Sequence, residues 1–260
     1  MFQVFLVAFL LLQPETDARK SKIFGGETKS VEDYPYLVNI RRGGTFRCGG
    51  ALISPSCVLT AAHCLEGRPD RVRDLSVHAL QQCLNDAPAP EHVRWAWYAK
   101  VSPDYAPRRG LDADVAVIRL SRPFDISGKA SLAKIDYNEL PRHMNLTIMG
   151  WGMTEENTQD WNQCLQVAEI QKLPQGECIR RIGTPQHPVT GNMFCAIGEN
   201  ATDACPGDSG GPAMSDGRAI AGLVSWGYGC GRGYPGIYTR LSSPRISFWL
   251  KYFVADHCWG

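Results

Sequence analysis

Net charge is nearly absent: 27 basic residues face 26 acidic ones, for +1 overall. No long run of one sign occurs, and neither a low-complexity tract nor an internal repeat is visible. This balance gives no support for a nucleic-acid or membrane-surface partner. Long apolar runs are missing too. Phe2 to Leu12 is apolar, but a bilayer span takes about 20 residues. No later segment reads as transmembrane, so a soluble product is expected. The ten cysteines are scattered and include no CxxC pair, which argues against a zinc site.

What is present points elsewhere. The Phe2–Leu12 run fits the apolar core of a secretory leader. Its start lacks Lys and Arg, and Thr16-Asp17-Ala18 supplies a small residue for cleavage. Residues 1–18 are therefore read as a signal peptide, with a mature start at Arg19. An even, high cysteine count behind such a leader indicates an oxidising compartment and five disulfides. Secretion to the extracellular space is expected.

Short apolar runs alternate with Gly, Pro and Asp punctuation: Tyr36 to Ile40, Gly50 to Ile53, Val58 to Ala62, Leu75 to Leu80, Val93 to Ala99 and Val115 to Leu120. This is the pattern of a β barrel or sandwich. At 260 residues the chain is within reach of one double-barrel unit. Ser247 to Ala255 reads as a C-terminal amphipathic helix, with Phe248, Leu250, Tyr252 and Phe253 expected in the core and Lys251 and Asp256 outside.

Three stretches carry chemistry. Gly207-Asp208-Ser209-Gly210-Gly211-Pro212 surrounds a serine with small residues. Taken alone, it reads as an ordinary surface turn. A nucleophile on a tight turn would use the same glycines for close approach of the backbone, with the N–H groups of Gly207 and Ser209 forming an oxyanion hole. Thr60-Ala61-Ala62-His63-Cys64 supplies a histidine, and Asp112-Ala113-Asp114-Val115-Ala116-Val117-Ile118 supplies an aspartate entering an apolar strand. His, Asp, Ser is the chain order of one known arrangement of the hydrolytic triad. TAAHC, DADVAVI, GDSGGP and Val224-Ser225-Trp226-Gly227 occur together, in order. On these motifs, from about Ile23 to the C-terminal helix, the chain resembles the trypsin-like serine proteases.

The resemblance implies an all-β fold: two packed antiparallel six-stranded barrels, a short intermediate helix near Pro174 to Ile182 and the C-terminal helix. Residues 19–22 would be a propeptide and 23–260 the peptidase domain. Within it, the first barrel covers about 23–132, the second about 133–246, and the helix about 247–255. Cutting after Lys22 would free the Ile23 amine to pair with Asp208. A buried carboxylate is costly without such a partner.

The implied catalytic residues are Ser209 as nucleophile, His63 as base and Asp114 as its orienter. Asp112 is expected to be solvated. The other histidines (His78, His92, His143, His187 and His257) are read as surface or loop residues. Asp203 would floor the primary pocket, with Gly227 and Gly236 as its walls, so the substrate residue would be Arg or Lys. Ala204 lacks the hydroxyl that would bond a lysine ammonium. Arg is thus favoured by ~1 kcal/mol, one hydrogen bond's worth. An activation site ending in Lys22 would then be a poor self-substrate. Ser225, Trp226 and Gly227 resemble the strand that pairs with a bound peptide, Ser225 is expected to contact Asp114, and Leu111 would wall the neighbouring subsite. Pro206 stands beside the oxyanion glycine without an N–H of its own.

Family pairings imply Cys48–Cys64, Cys178–Cys195 and Cys205–Cys230. Four cysteines remain and allow three connectivities; Cys57–Cys258 with Cys83–Cys164 is the pairing favoured. A further bridge common in the family is missing on both sides, at Leu146 and Ser215. The loop from Gln81 to Glu91 carries Asp86 and Glu91 but not a calcium-binding glutamate pair, so no metal or other cofactor is expected. Sequons start at Asn200 and Asn145; Asn200, in a loop, is the better glycosylation candidate, since Asn145 opens a strand and burial is expected to hinder its use. The implied partners are protein or peptide substrates, macromolecular protease inhibitors and an activating protease, around a monomer. An alternative remains open: secreted members of a fold sometimes lose catalysis and act as binding or regulatory modules.

Overall fold

The computed structural model describes residues 23, 25–66, 72–127, 130–153, 164–216 and 219–259. The leader and propeptide readings, including Lys22, lie outside the described residues.

Strand β1 (Glu27–Thr28) precedes a first barrel of β2 (Leu37–Arg42), β3 (Thr45–Ser54), β4 (Cys57–Thr60), β5 (Leu75–Ala79), β6 (Val93–Val101) and β7 (Ala116–Leu120). These six close in the order β2-β3-β4-β7-β6-β5. Strands β4 and β5 are buried along their whole length, on both sides, whereas β6 alternates between buried and exposed residues. In β6 the inward Arg94 and Ala96 are buried, while Trp95 and Trp97 face solvent. Val38, Ile40, Leu52, Val58, Val77 and Ile118 fill the interior.

The second barrel uses β9 (Asn145–Gly150), β10 (Gln166–Lys172), β11 (Met193–Ile197), β12 (Pro212–Asp216), β13 (Ala219–Trp226) and β14 (Gly236–Arg240). Antiparallel pairing runs β9-β10-β11-β14-β13-β12 and returns to β9. The short β8 (Lys134–Ile135) adds to β13 in parallel, and β1 adds to β10. Between β10 and β11 lies α1 (Gln175–Ile182), with Pro174 at its N-cap. The chain ends in α2 (Pro244–His257), longer at both ends than the sequence pattern indicates. Pro244 opens it, where a missing N–H costs nothing.

Between the barrels lies a further core with Leu59, Val117, Trp151 and Leu223, and Leu250 and Phe253 of α2 join it. Phe46 meets Trp151 edge-on, and the Trp151 indole donates to the Gln82 carbonyl at 3.1 Å. Five disulfides join Cys48 to Cys64, Cys57 to Cys258, Cys83 to Cys164, Cys178 to Cys195, and Cys205 to Cys230. The second of these ties the end of α2 to β4. At the missing-bridge positions, Leu146 is core and the Ser215 hydroxyl bonds Asp136 and the Ala219 carbonyl.

Four expectations are corrected. Asp112 is buried, not solvated: it accepts from Thr190 Oγ1 at 2.5 Å, Asn192 Nδ2 at 3.0 Å and the Ala113 N–H at 3.1 Å. His78 is not a surface residue. It is buried in β5 beside Ser76 Oγ at 3.0 Å, and burial, with the nearby Arg41 charge, lowers its pKa to about 4. Phe248 and Tyr252 do not pack in the core but are 75% and 67% exposed, because α2 turns Ile246, Leu250 and Phe253 inward instead. Asn145 is exposed although it opens β9, since its side of the strand faces outward.

Candidate active site

The loop from Cys205 to Gly211 is held by both barrels. Gly210 N–H donates to the Val224 carbonyl of β13 at 2.8 Å, and Gly49 N–H of β3 donates to the Ser209 carbonyl at 2.9 Å. Gly207 takes a φ of +100°, a conformation that a side chain would disfavour. Ser209 is thereby fixed where the two barrels meet.

His63 sits in a single 3₁₀ turn, Ala62–Leu65, just after β4, and Cys48–Cys64 clips that turn to β3. Asp114 comes from the approach to β7 and is fully buried. Its Oδ1 accepts the His63 backbone N–H at 2.9 Å, and its Oδ2 lies 2.7 Å from His63 Nδ1. The Ser225 hydroxyl donates to the same Oδ2 at 2.5 Å, and Thr239 Oγ1 donates to the Asp114 carbonyl at 2.8 Å. Both elements around the cleft therefore hold this carboxylate. Burial disfavours a protonated His63, but the hydrogen bond and charge of Asp114, with Glu66 adding, outweigh it. The imidazole pKa rises above its ordinary 6.5.

Ser209 lines a cavity of about 260 Å³ together with Ala204, Ser225, Trp226, Gly227 and Gly236. Asp203 lies behind the Gly236 wall. A Cβ added at Gly236 would come within 2.6 Å of Asp203 Oδ1, so a side chain there would crowd the carboxylate. Asp203 is 2% exposed, and the Ala204 N–H donates to its Oδ1 at 2.8 Å. Burial pushes its pKa up to about 8; that N–H opposes the shift and the Asp208 charge adds to it. Ionised, this group calls for a cation.

Asp208 is likewise buried. Its carboxylate accepts from Gly152 N–H at 2.8 Å and Cys205 N–H at 2.9 Å, yet burial still raises its pKa to about 6. The Ile23 side chain is buried in the second barrel with Leu146, Ala168 and Phe194. Of the remaining sequence candidates, Pro206 is exposed at the cavity's rim, and Leu111 is half-buried without lining this cavity. Asn200 is exposed in the loop before Asp203.

Sequence reasoning overlooked Tyr238. It lines the cavity, and its buried hydroxyl lies 3.4 Å from the place a Gly236 Cβ would take. That hydroxyl has no hydrogen-bond partner among the described residues, and burial holds its pKa well above the ordinary phenol value. The signal was available: Tyr238 stands two residues past Gly236 on the same strand, hence on the same face. Among the described residues, Cys48, His63 and Cys64 bring three candidate metal-ligand atoms within 4.8 Å of one another. The two sulfurs are joined to each other, however, and thiolates are the metal-binding form.

The Trypsin family model matches residues 23–249. A trypsin of Phaedon cochleariae is 34% identical over 92% of this chain and 92% of its own length. A trypsin of Sus scrofa is 32% identical over 90% of this chain and 96% of its own. The structure of neuropsin, a serine protease expressed in the limbic system of mouse brain, superposes with a TM-score of 0.77 at 27% identity, covering 88% of this chain and 99% of that one. The chain belongs to the trypsin family and is a trypsin-like serine endopeptidase.

Proposed function

We propose that the chain is secreted as an inactive precursor and, once cut, hydrolyses peptide bonds after arginine and less efficiently after lysine. Asp203 carries this reading: a buried carboxylate with one backbone donor, behind a glycine wall of a cavity that Ser209 also lines. A guanidinium reaches such a group with two parallel donors. Ala204 offers a lysine ammonium no hydroxyl, which favours arginine.

With the basic side chain seated, the following carbonyl meets Ser209. The Ser209 Oγ attacks the carbonyl carbon, and His63 takes the hydroxyl proton at Nε2. Asp114 holds the opposite nitrogen and stabilises the imidazolium, a role its 2.7 Å contact supports. The Gly207 and Ser209 N–H groups receive the developing oxyanion. As the C–N bond breaks, His63 returns the proton to the leaving amine. Water, deprotonated by His63, then releases the acyl group from Ser209.

Activation follows from Asp208. Cleavage of Lys22–Ile23 supplies an ammonium for a carboxylate that two backbone donors leave only partly compensated. Burial of the Ile23 side chain supports docking of that segment in the second barrel. The leader 1–18 and the five disulfides support secretion, and the sequons at Asn200 and Asn145 are both exposed for glycosylation.

The test compares the cut and uncut chain on anilides of Arg, Lys and Phe. The expected order is Arg above Lys, with Phe inert and the uncut chain nearly silent. Equal turnover of all three, or full activity without the cut, would overturn the reading.

A further inference from the structure

Ser209 also lines a second cavity of about 340 Å³, whose other walls are Arg42, Arg47, Glu66, His63 and the Cys48–Cys64 disulfide. Among the described residues, Ser209 is the only wall the two cavities share. On the proposed reading, on which this inference rests, the substrate's basic side chain fills the first cavity. The leaving amine must meet His63, which returns its proton there. His63 belongs to the second cavity, so the residues beyond the cut bond run over it.

That surface carries two guanidiniums against one carboxylate. Glu66 is engaged, accepting the Tyr105 hydroxyl. Arg42 is partly engaged: its Nη1 donates to the Glu66 carbonyl at 3.3 Å, and its Nε lies 3.6 Å from Asp74 Oδ1. Arg47 is different. It lies between buried Phe46 and Cys48 on β3, so the strand's alternation turns it outward, and it is exposed. No hydrogen bond or ion pair joins its side chain to another described residue.

We infer that Arg47, with Arg42 beside it, gives this enzyme a preference for Asp or Glu in the first two positions after the cut bond, and a bias against Lys or Arg there. A free guanidinium matches a carboxylate in charge and in its two-pronged geometry. The precursor's own cut is followed by Ile23 and Phe24, so its activation site lacks this recognition.

The test uses the chain cut after Lys22 and quenched peptides that keep Arg at the cut and place Asp, Gln or Lys in the next two positions. An arginine anilide, which has no residues beyond the cut, provides a reference rate within each variant. At low salt the kcat/KM for the Asp peptide should exceed that for Gln by about fivefold, the Lys peptide falling below both. The advantage should shrink at high ionic strength, where exposed charges are screened. Arg47→Ala should bring the Asp-to-Gln ratio near one, and Arg47→Glu should invert the order of Asp and Lys. Equal rates for the three peptides, or a ratio unmoved by Arg47→Ala, would overturn this inference alone. Failure to cut any substrate, the anilide included, would overturn the protease reading and this inference with it.

Discussion

Replacing Asp203 with asparagine keeps the side chain's shape and removes its charge. Asp203 is 2% exposed, and its pKa rises from 3.8 to about 8. At about 1.4 kcal/mol per tenfold change in acidity, ionising it in the empty pocket costs on the order of 5–6 kcal/mol. A substrate guanidinium offsets that cost but gives up its own hydration. Removing one partner of such a buried pair typically costs about 3–5 kcal/mol. Asp203→Asn should therefore lower kcat/KM for an arginine anilide by about 10² to 10³-fold, with little change for a neutral substrate. Stability should respond in the opposite sense. Because the folded pKa is raised, the native chain holds a proton that the unfolded chain releases between pH 4 and 8. Wild-type stability is thus lost as pH rises through that window, and Asp203→Asn abolishes this site's share. Thermal unfolding in a Ser209→Ala background, at pH 5 and pH 9, measures it without self-digestion. An asparagine variant that still prefers arginine by the wild-type margin would refute the reasoning about the pocket.

Other consequences are equally open to measurement. With the His63 pKa raised, the acid limb of kcat/KM against pH should fall above 6.5, and Asp114→Asn should cut kcat by about 10⁴-fold with the fold retained by circular dichroism; an acid limb at or below 6.5 would contradict the pairing. On the proposed activation, the freed Ile23 ammonium would start from a reference pKa of about 8 and be raised by pairing with Asp208, so its contribution would be complete below that value and lost as pH climbs through the raised one. Activity that stays flat far into the alkaline range would count against that pair. In Gly236→Ala the new Cβ would stand 2.6 Å from Asp203 Oδ1; the crowding should lower arginine turnover by about 10- to 100-fold, and an unchanged kcat/KM would show that the wall is not where substrate passes.

Much of the fold was legible because short apolar runs are bounded by Gly, Pro and Asp turn residues. Val93 to Ala99 and Val115 to Leu120 fall within a residue or two of β6 and β7. The intermediate helix near Pro174 to Ile182 was expected only through the family likeness, and α1 lies at Gln175–Ile182. The α2 error has a clear cause. Phe248 and Tyr252 share an i,i+4 face, as do Ile246 and Leu250, and apolar content does not say which face meets the barrel. Asp112 was misjudged because its partners, Thr190 and Asn192, lie about 80 residues away, and no local pattern announces them. His78 likewise owes its burial to its place in β5 between β2 and β6. At the site, the residue types of His63, Asp114 and Ser209 were visible, but the Ser225 contact to Asp114 came only through the family likeness. Tyr238 was missed because a tyrosine in a strand ordinarily reads as packing. The Arg47 cavity had no sequence signature at all: it forms where β3, the histidine turn and the nucleophile loop converge.

The central claim is that Ser209 becomes a nucleophile once Ile23 is freed. Treating the chain, before and after cleavage at Lys22–Ile23, with a fluorophosphonate and mapping the adduct by mass spectrometry tests it directly. The account predicts one adduct, on Ser209, formed rapidly in the cut chain and barely in the uncut one. An unlabelled cut chain, or an adduct on any other serine, would contradict it.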